Sequence, residues 1–236
     1  MATPSISFRT LSNADGSATY VAPNKTHTII AGVNYPVEVP YRSDELPDST
    51  YIEVNLRPHN AVGMVKERHV ESLVKSTLQA IVRNQDTPRM MLQVTLQVAN
   101  AESDEHLPGG VKGGGQGETY LPVLTSAINA AVLGCLDGAV QMEGLAAAVL
   151  IAISRDGSLI DSPNVAQQKK CQSLHVFAFA GSGDAILVES EGSFNMEHWE
   201  QALNQARETA LGPNGLIVAM KQAIGQRVAH DQRWQG

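Results

Sequence analysis

The chain has 236 residues, 43% of them hydrophobic and 17% charged, with a formal net charge of −7. That balance describes a folded globular protein with ample material for a core, and it excludes an intrinsically disordered chain. The acidic excess counts against a general nucleic-acid binder, which needs a basic surface, and leaves room only for a local basic patch.

In chain order, residues 6–35 read as three short strands. Ile6, Phe8 and Leu11 precede the turn Asn13-Ala14-Asp15-Gly16, whose Asp-Gly pair is a hairpin signal. Ala18–Val21 and Thr28–Val33 are the second and third strands. Pro36, Pro40 and Pro47, set among charged residues, make 36–50 an exposed loop. Ile52, Val54 and Leu56 then alternate with Tyr51, Glu53, Asn55 and Arg57, the period of a half-buried strand that Pro58 closes. Val65–Val82 is an amphipathic helix. Its apolar stripe is Val70, Leu73, Val74, Leu78, Ile81 and Val82, while Lys66, Arg68, Lys75 and Arg83 lie off it. Met91–Val98 is another alternating strand. Residues 101–117 loosen into a flexible loop that ends in PGGVKGGGQG.

The stretch 118–153 organises the rest. Its helix sets small residues (Ala127, Ala130, Ala131, Gly134) beside Leu124, Ile128, Val132 and Leu133, so nearly every face is apolar and the helix is buried on more than one side. Gly138 is placed as the left-handed residue that ends it. Leu145–Ile153, a continuous apolar run, is a strand covered on both faces. Beyond it come the turn Arg155-Asp156-Gly157, a short strand Leu159–Asp161, a polar connector from Pro163 to Lys170 and a strand Leu174–Ala180. A hairpin at Gly181–Asp184 leads to the strand Ala185–Glu189. Two helices, Met196–Leu211 and Leu216–Val228, are separated by Gly212-Pro213-Asn214-Gly215. A strands-then-helix unit is thus used twice. The expected class is α+β or α/β, in a single domain over 1–236 with two pseudo-related halves, approximately 1–100 and 118–236, joined by the glycine-rich loop 101–117.

Few motifs carry chemistry. The opening MATPSISFRT lacks the apolar segment of a signal peptide, and no apolar run approaches the about 20 residues of a membrane span. The expectation is a soluble intracellular protein without a membrane partner. Cys135, in the buried helix, and Cys171, before a strand, suit a reducing compartment, and the thiol of Cys135 is expected to be inert. Seven scattered histidines give no metal-ligand spacing, so no metal is assigned; His27, His59 and His69 read as surface residues. The glycine run closes into Gly117-Glu118-Thr119, not the Gly-Lys-Ser/Thr of a phosphate loop, and a glutamate there repels phosphate. The pairs Asp156 with Asp161 and Glu189 with Glu191 read as solvated acids. Arg57, Lys66, Arg68 and Lys75 form the one basic cluster suited to a polyanion.

Five stretches carry a likeness: Asp15-Gly16-Ser17-Ala18, Val54-Asn55-Leu56-Arg57-Pro58, Ala127-Ile128-Asn129-Ala130-Ala131, Leu159-Ile160-Asp161-Ser162-Pro163 and Glu191-Gly192-Ser193-Phe194. In this order, and over nearly the whole chain, they resemble the RNase PH family, and within it the ring subunits of the eukaryotic RNA exosome. The resemblance implies an RNase PH-like (ribosomal protein S5 domain 2-like) duplicated βαβ-type fold with mixed sheets and packed helices. Phosphorolytic members begin the central helix with Gly-Gly-Thr-Arg, whose arginine holds the attacking phosphate. That position is Leu124 here, and an isobutyl group offers no donors. A catalytic acid six residues past the position of Asp161 is replaced by Gln167. A third phosphate-contacting arginine, early in the second helix, corresponds to Lys66.

Leu124, Asp161 and Gln167 are therefore expected to mark a degenerate former active site, with no catalytic residue and no cofactor. The resemblance implies a non-catalytic ring subunit in the nucleus, nucleolus and cytoplasm. Its partners would be other RNase PH-like exosome ring subunits, cap subunits with S1/KH-type modules, RNA passing through the channel and an associated catalytic ribonuclease. Arg57, Lys66, Arg68 and Lys75 are the candidate RNA contacts, with Lys66 and Arg68 foremost. Two alternatives stay open: an active phosphate-dependent 3′→5′ exoribonuclease, and a small-molecule-binding α/β domain in which the glycine loop matters.

Overall fold

The computed structural model describes residues 4–60, 62–101 and 119–233. The glycine run at Gly109–Gly117 lies outside them. Strands β1 (Ser5–Phe8), β2 (Gly16–Val21), β3 (His27–Glu38), β4 (Tyr51–Arg57) and β5 (Met90–Ala101) form a sheet in the order β1-β2-β3-β5-β4. The β4–β5 pair is parallel, joined by helix α1 (Val65–Ile81), and the other pairs are antiparallel. Helix α2 (Leu121–Asp137) leads to the second sheet. It comprises β6 (Ala146–Ser154), β7 (Leu159–Asp161), β8 (Cys171–Ala180) and β9 (Ala185–Gly192), in the order β7-β6-β8-β9 and antiparallel throughout. A short helix α3 (Val165–Gln168) and the pair α4 (Met196–Leu211) and α5 (Leu216–Gln232) complete the described elements.

Helix α2 packs on β2 and β3 of the first sheet and on β6 and β8 of the second. That position explains its composition: Leu121 through Cys135 are all buried. The buried residues of both sheets and α2 form a continuous apolar cluster that includes Leu124, Ile128, Ile151 and Phe177. Helix α1 lies on β4 with the predicted stripe inward, and Val70, Val74, Leu78 and Ile81 are buried. Burial alternates along β4 as the sequence period requires, with Ile52, Val54 and Leu56 inside. Eight of the nine residues of β6 are buried, which accounts for its unbroken apolar run.

Several expectations are corrected. Strand β3 continues past Val33 through Pro36 to Glu38, and its ladder to β5 shifts register between Asn34 and Val37, where Pro36 has no N–H to give. The connector after Pro163 contains a turn of helix, started by Asn164, whose N–H donates to Gln167 Oε1 at 2.9 Å. Cys171 begins β8 instead of preceding it. Gly138 is not the left-handed residue at the end of α2. It has φ −78, and Ala139 takes φ 54 instead. The Val140 N–H bonds Cys135 O at 3.0 Å and the Ala139 N–H bonds Leu136 O, the paired closure of a Schellman motif. The glycine at 138 serves another purpose: a Cβ on Gly16, in β2, would collide with the Gly138 backbone, so the two glycines let strand and helix end touch. Asp137 locks the same corner. Its Oδ2 accepts from Ser17 N at 2.8 Å, and it pairs with Arg227 of α5.

Candidate functional site

Where α2 begins, the two sheets leave a cleft of about 180 Å³. Pro122, Thr125 and Ser126 from the first turns of α2 form one wall, Ala148 to Leu150 of β6 the floor, and Asp161 to Pro163 at the end of β7 another side. The geometry follows from hydrogen bonding. Strand β7 pairs only with Ile151–Ile153 of β6, so the N-terminal half of β6 has one open edge. Asn129 fills part of it: its Nδ2 donates to Ala148 O at 2.9 Å and its Oδ1 accepts from Ala148 N at 2.8 Å. The amide acts as a short piece of strand, which satisfies two buried backbone groups. Further along, the Ser162 N–H bonds Leu150 O at 3.0 Å, and Asn24 Nδ2 donates to Ser162 O at 3.1 Å. Burial pushes the phenol of Tyr20, at the back of the cleft, above its usual range.

Asp161 is half-buried in this cleft, and its Oδ1 accepts from Gln205 Nε2 of α4 at 2.8 Å. Leu124 and Gln167 do not line it. Leu124 is 0% exposed in the core, and Gln167 stands exposed on α3 with its side chain capping that helix. Among the described lining residues Asp161 alone is charged, and none is Lys, Arg or His. The residues that the sequence reading passed over are the polar ones of α2. Thr125, Ser126 and Asn129 stand three and four residues apart in the otherwise apolar stretch Leu121–Leu136, a spacing that puts them on one face and was the available signal.

The basic residues of α1 do not form one patch. Lys66 and Arg68 are exposed, but two residues of helix turn them about 200° apart. Arg68 and Lys75 share a face, about 10 Å apart along the axis. Arg68 Nη1 lies 3.1 Å from Glu71 Oε2, and Lys75 Nζ stands 4.6 Å over the Tyr51 ring. Arg57 ends β4 and is exposed.

Among the remaining titratable groups, His27 is a correction: it is 4% exposed, and burial holds its pKa down at about 4. His59 and His69 are exposed, the latter edge-on to Tyr120. His175 is buried between two hydroxyls, with Ser173 Oγ 2.9 Å from Nε2 and Ser190 Oγ 2.8 Å from Nδ1; burial likewise lowers its pKa to about 4. Cys135 is 0% exposed, and burial raises its thiol to about 12, which makes it unreactive. Asp156 is exposed, while Glu189 and Glu191 are half-buried; Glu189 accepts from the Tyr120 hydroxyl at 3.3 Å. No three His, Cys, Asp or Glu among the described residues are placed to hold a metal ion, and no described helix is long and apolar enough to cross a membrane.

A mixed five-stranded sheet and an antiparallel four-stranded sheet, packed through one buried helix with the cleft at its N-terminus, define an RNase PH-like α+β protein. The chain belongs to the RNase PH family, described as the 3′ exoribonuclease family, whose domain 1 matches residues 3–141. It is 29% identical over 192 residues to exosome complex component RRP46 of Saccharomyces cerevisiae, covering 78% of this chain and 80% of that protein. The fold is similar to that of rice (Oryza sativa) Rrp46, with a TM-score of 0.73 at 22% identity and 87% of each chain covered. It is also similar to a chain of the Archaeoglobus fulgidus exosome with RNA bound to the active site, with a TM-score of 0.66 at 12% identity, covering 87% of this chain and 84% of that one.

Proposed function

We propose that this chain is a non-catalytic ring subunit of an RNA exosome, where it helps form the channel through which RNA reaches a nuclease. The likeness to yeast RRP46 supports the exosome assignment. One observation carries the loss of chemistry: the described lining of the cleft offers an inorganic phosphate no cation and one carboxylate. Phosphorolysis needs charge to hold and orient the attacking phosphate, and losing a single stabilising group of this kind costs on the order of 10²–10³ in rate. Leu124, at the position of the phosphate-holding arginine, is sealed in the core, and Gln167, at the position of the acid, is a neutral amide on a surface turn.

The partners in this reading are other RNase PH-like ring subunits, S1/KH-type cap subunits, RNA and an associated catalytic ribonuclease, and the complex works in the nucleus, nucleolus and cytoplasm. The two halves act as one domain. Arg57, Lys66, Arg68 and Lys75 are the candidates for contacts to the RNA backbone, which position a strand without reading bases. Affinity capture of the native protein followed by mass spectrometry should recover ring subunits, and recovery of a partnerless monomer would sink the assignment.

The competing reading, a phosphate-dependent 3′→5′ exoribonuclease, draws on the activity in the family's description. Purified chain incubated with RNA and phosphate discriminates. The ring-subunit reading expects no nucleoside diphosphates, and their release, abolished by Asp161→Asn, would establish the enzyme instead.

A further inference from the structure

The cleft has a chemistry of its own. Its walls are largely apolar, with Pro23, Pro122, Val149, Leu216 and Ala219 among them, and Asp161 is its sole charged residue among those described. The hydrogen bond from Gln205 Nε2 holds that carboxylate at the cleft wall by its Oδ1. A carboxylate in a cleft without other charges attracts an opposite charge, while it disfavours an anion.

We propose that this cleft binds a small organic cation, an alkylamine or alkylguanidine. The head group donates to the Asp161 carboxylate, and the methylene stem lies against the proline and aliphatic walls. A guanidinium suits the site best, because its planar fork matches a carboxylate while its weak hydration lowers the cost of entry. The hydroxyls of Thr125 and Ser126 line the same space and supply acceptors for remaining head-group protons. A volume of about 180 Å³ takes a short chain of this kind. The inference rests on the cleft alone and stands apart from the ring-subunit reading.

Isothermal titration calorimetry of the full chain with agmatine, putrescine and inorganic phosphate tests it. Agmatine and putrescine are expected to bind, agmatine the tighter, and phosphate is expected not to. Asp161→Asn keeps an acceptor for Gln205 but removes the charge, and should weaken agmatine at least about tenfold. Ala219→Leu, at a half-buried position, should block the cleft by bulk, and circular dichroism of both variants verifies that they fold. Absence of amine binding, agmatine affinity unchanged in folded Asp161→Asn or Ala219→Leu, or phosphate binding that competes with agmatine would each overturn the proposal.

Discussion

Asn129 shows how a single polar side chain earns its place in an apolar helix. It is 0% exposed, and both ends of its amide bond the backbone of Ala148. Truncation would leave a buried N–H and a buried C=O without partners, each costing about 1–3 kcal/mol. Asn129→Ala should therefore lower the unfolding free energy by about 2–6 kcal/mol, read from urea denaturation. A loss below about 1 kcal/mol would mean that water replaces the amide and that the open edge of β6 is not sealed by this residue. Asn129 is also part of the Ala127–Ala131 stretch on which the family resemblance rests, so that likeness has a packing cause: small residues let the helix close on the strands, and one amide finishes the sheet.

Helix α1 illustrates the limit of reading charge from position in sequence. Lys66, Arg68 and Lys75 look like one cluster, yet the helical turn divides Lys66 from the other two. A single RNA path along this helix can meet one face, and the face of Arg68 continues two turns further to Lys75. On the proposed ring-subunit reading, only one of Arg68→Gln and Lys66→Gln should reduce the slope of log affinity against log salt in the assembled complex, by about one, because the two residues lie on different faces. Fluorescence anisotropy with single-stranded RNA over a salt series measures both. Equal effects from the two variants would show that the helix is not met along one face. Arg68 and Lys75 each contribute less than their charge suggests, because the guanidinium is paired with Glu71 and the ammonium sits over the Tyr51 ring.

For the molecule as a whole, two buried imidazoles set the response to acid. His27 and His175 are both held down at about 4 by burial, from an ordinary value of 6.5. Between those limits the unfolded chain binds more protons than the folded one, so stability rises with pH across the window and is lost as pH falls through it. The melting temperature should climb between pH 4.5 and 6.5, and His27→Leu, which removes one titrating ring, should flatten the climb. An unchanged pH profile in that variant would show that His27 is not protonated on unfolding over this range.

Element identity was largely legible from local pattern. The Met196–Leu211 helix and its Gly-Pro-Asn-Gly break stand where the residues placed them, because glycine and proline act locally. The fully apolar α2 read as buried on several sides because only such a helix can be apolar all round. The same pattern could not tell which glycine serves conformation and which serves contact. Gly138 meets the backbone of Gly16, more than a hundred residues away, and Ala139 takes the left-handed turn instead. His27 looked like a surface residue because nothing in its neighbours announces the strand that covers it. The cleft likewise joins α2, β6, β7 and the end of β2, which no window of sequence contains. The sequence by itself determined the elements, the buried helix and the absence of an arginine at position 124, since each depends on the identity of nearby residues. Tertiary structure decided the pairings and the charge of the cleft, since those depend on which distant residues the packed chain brings within hydrogen-bond reach.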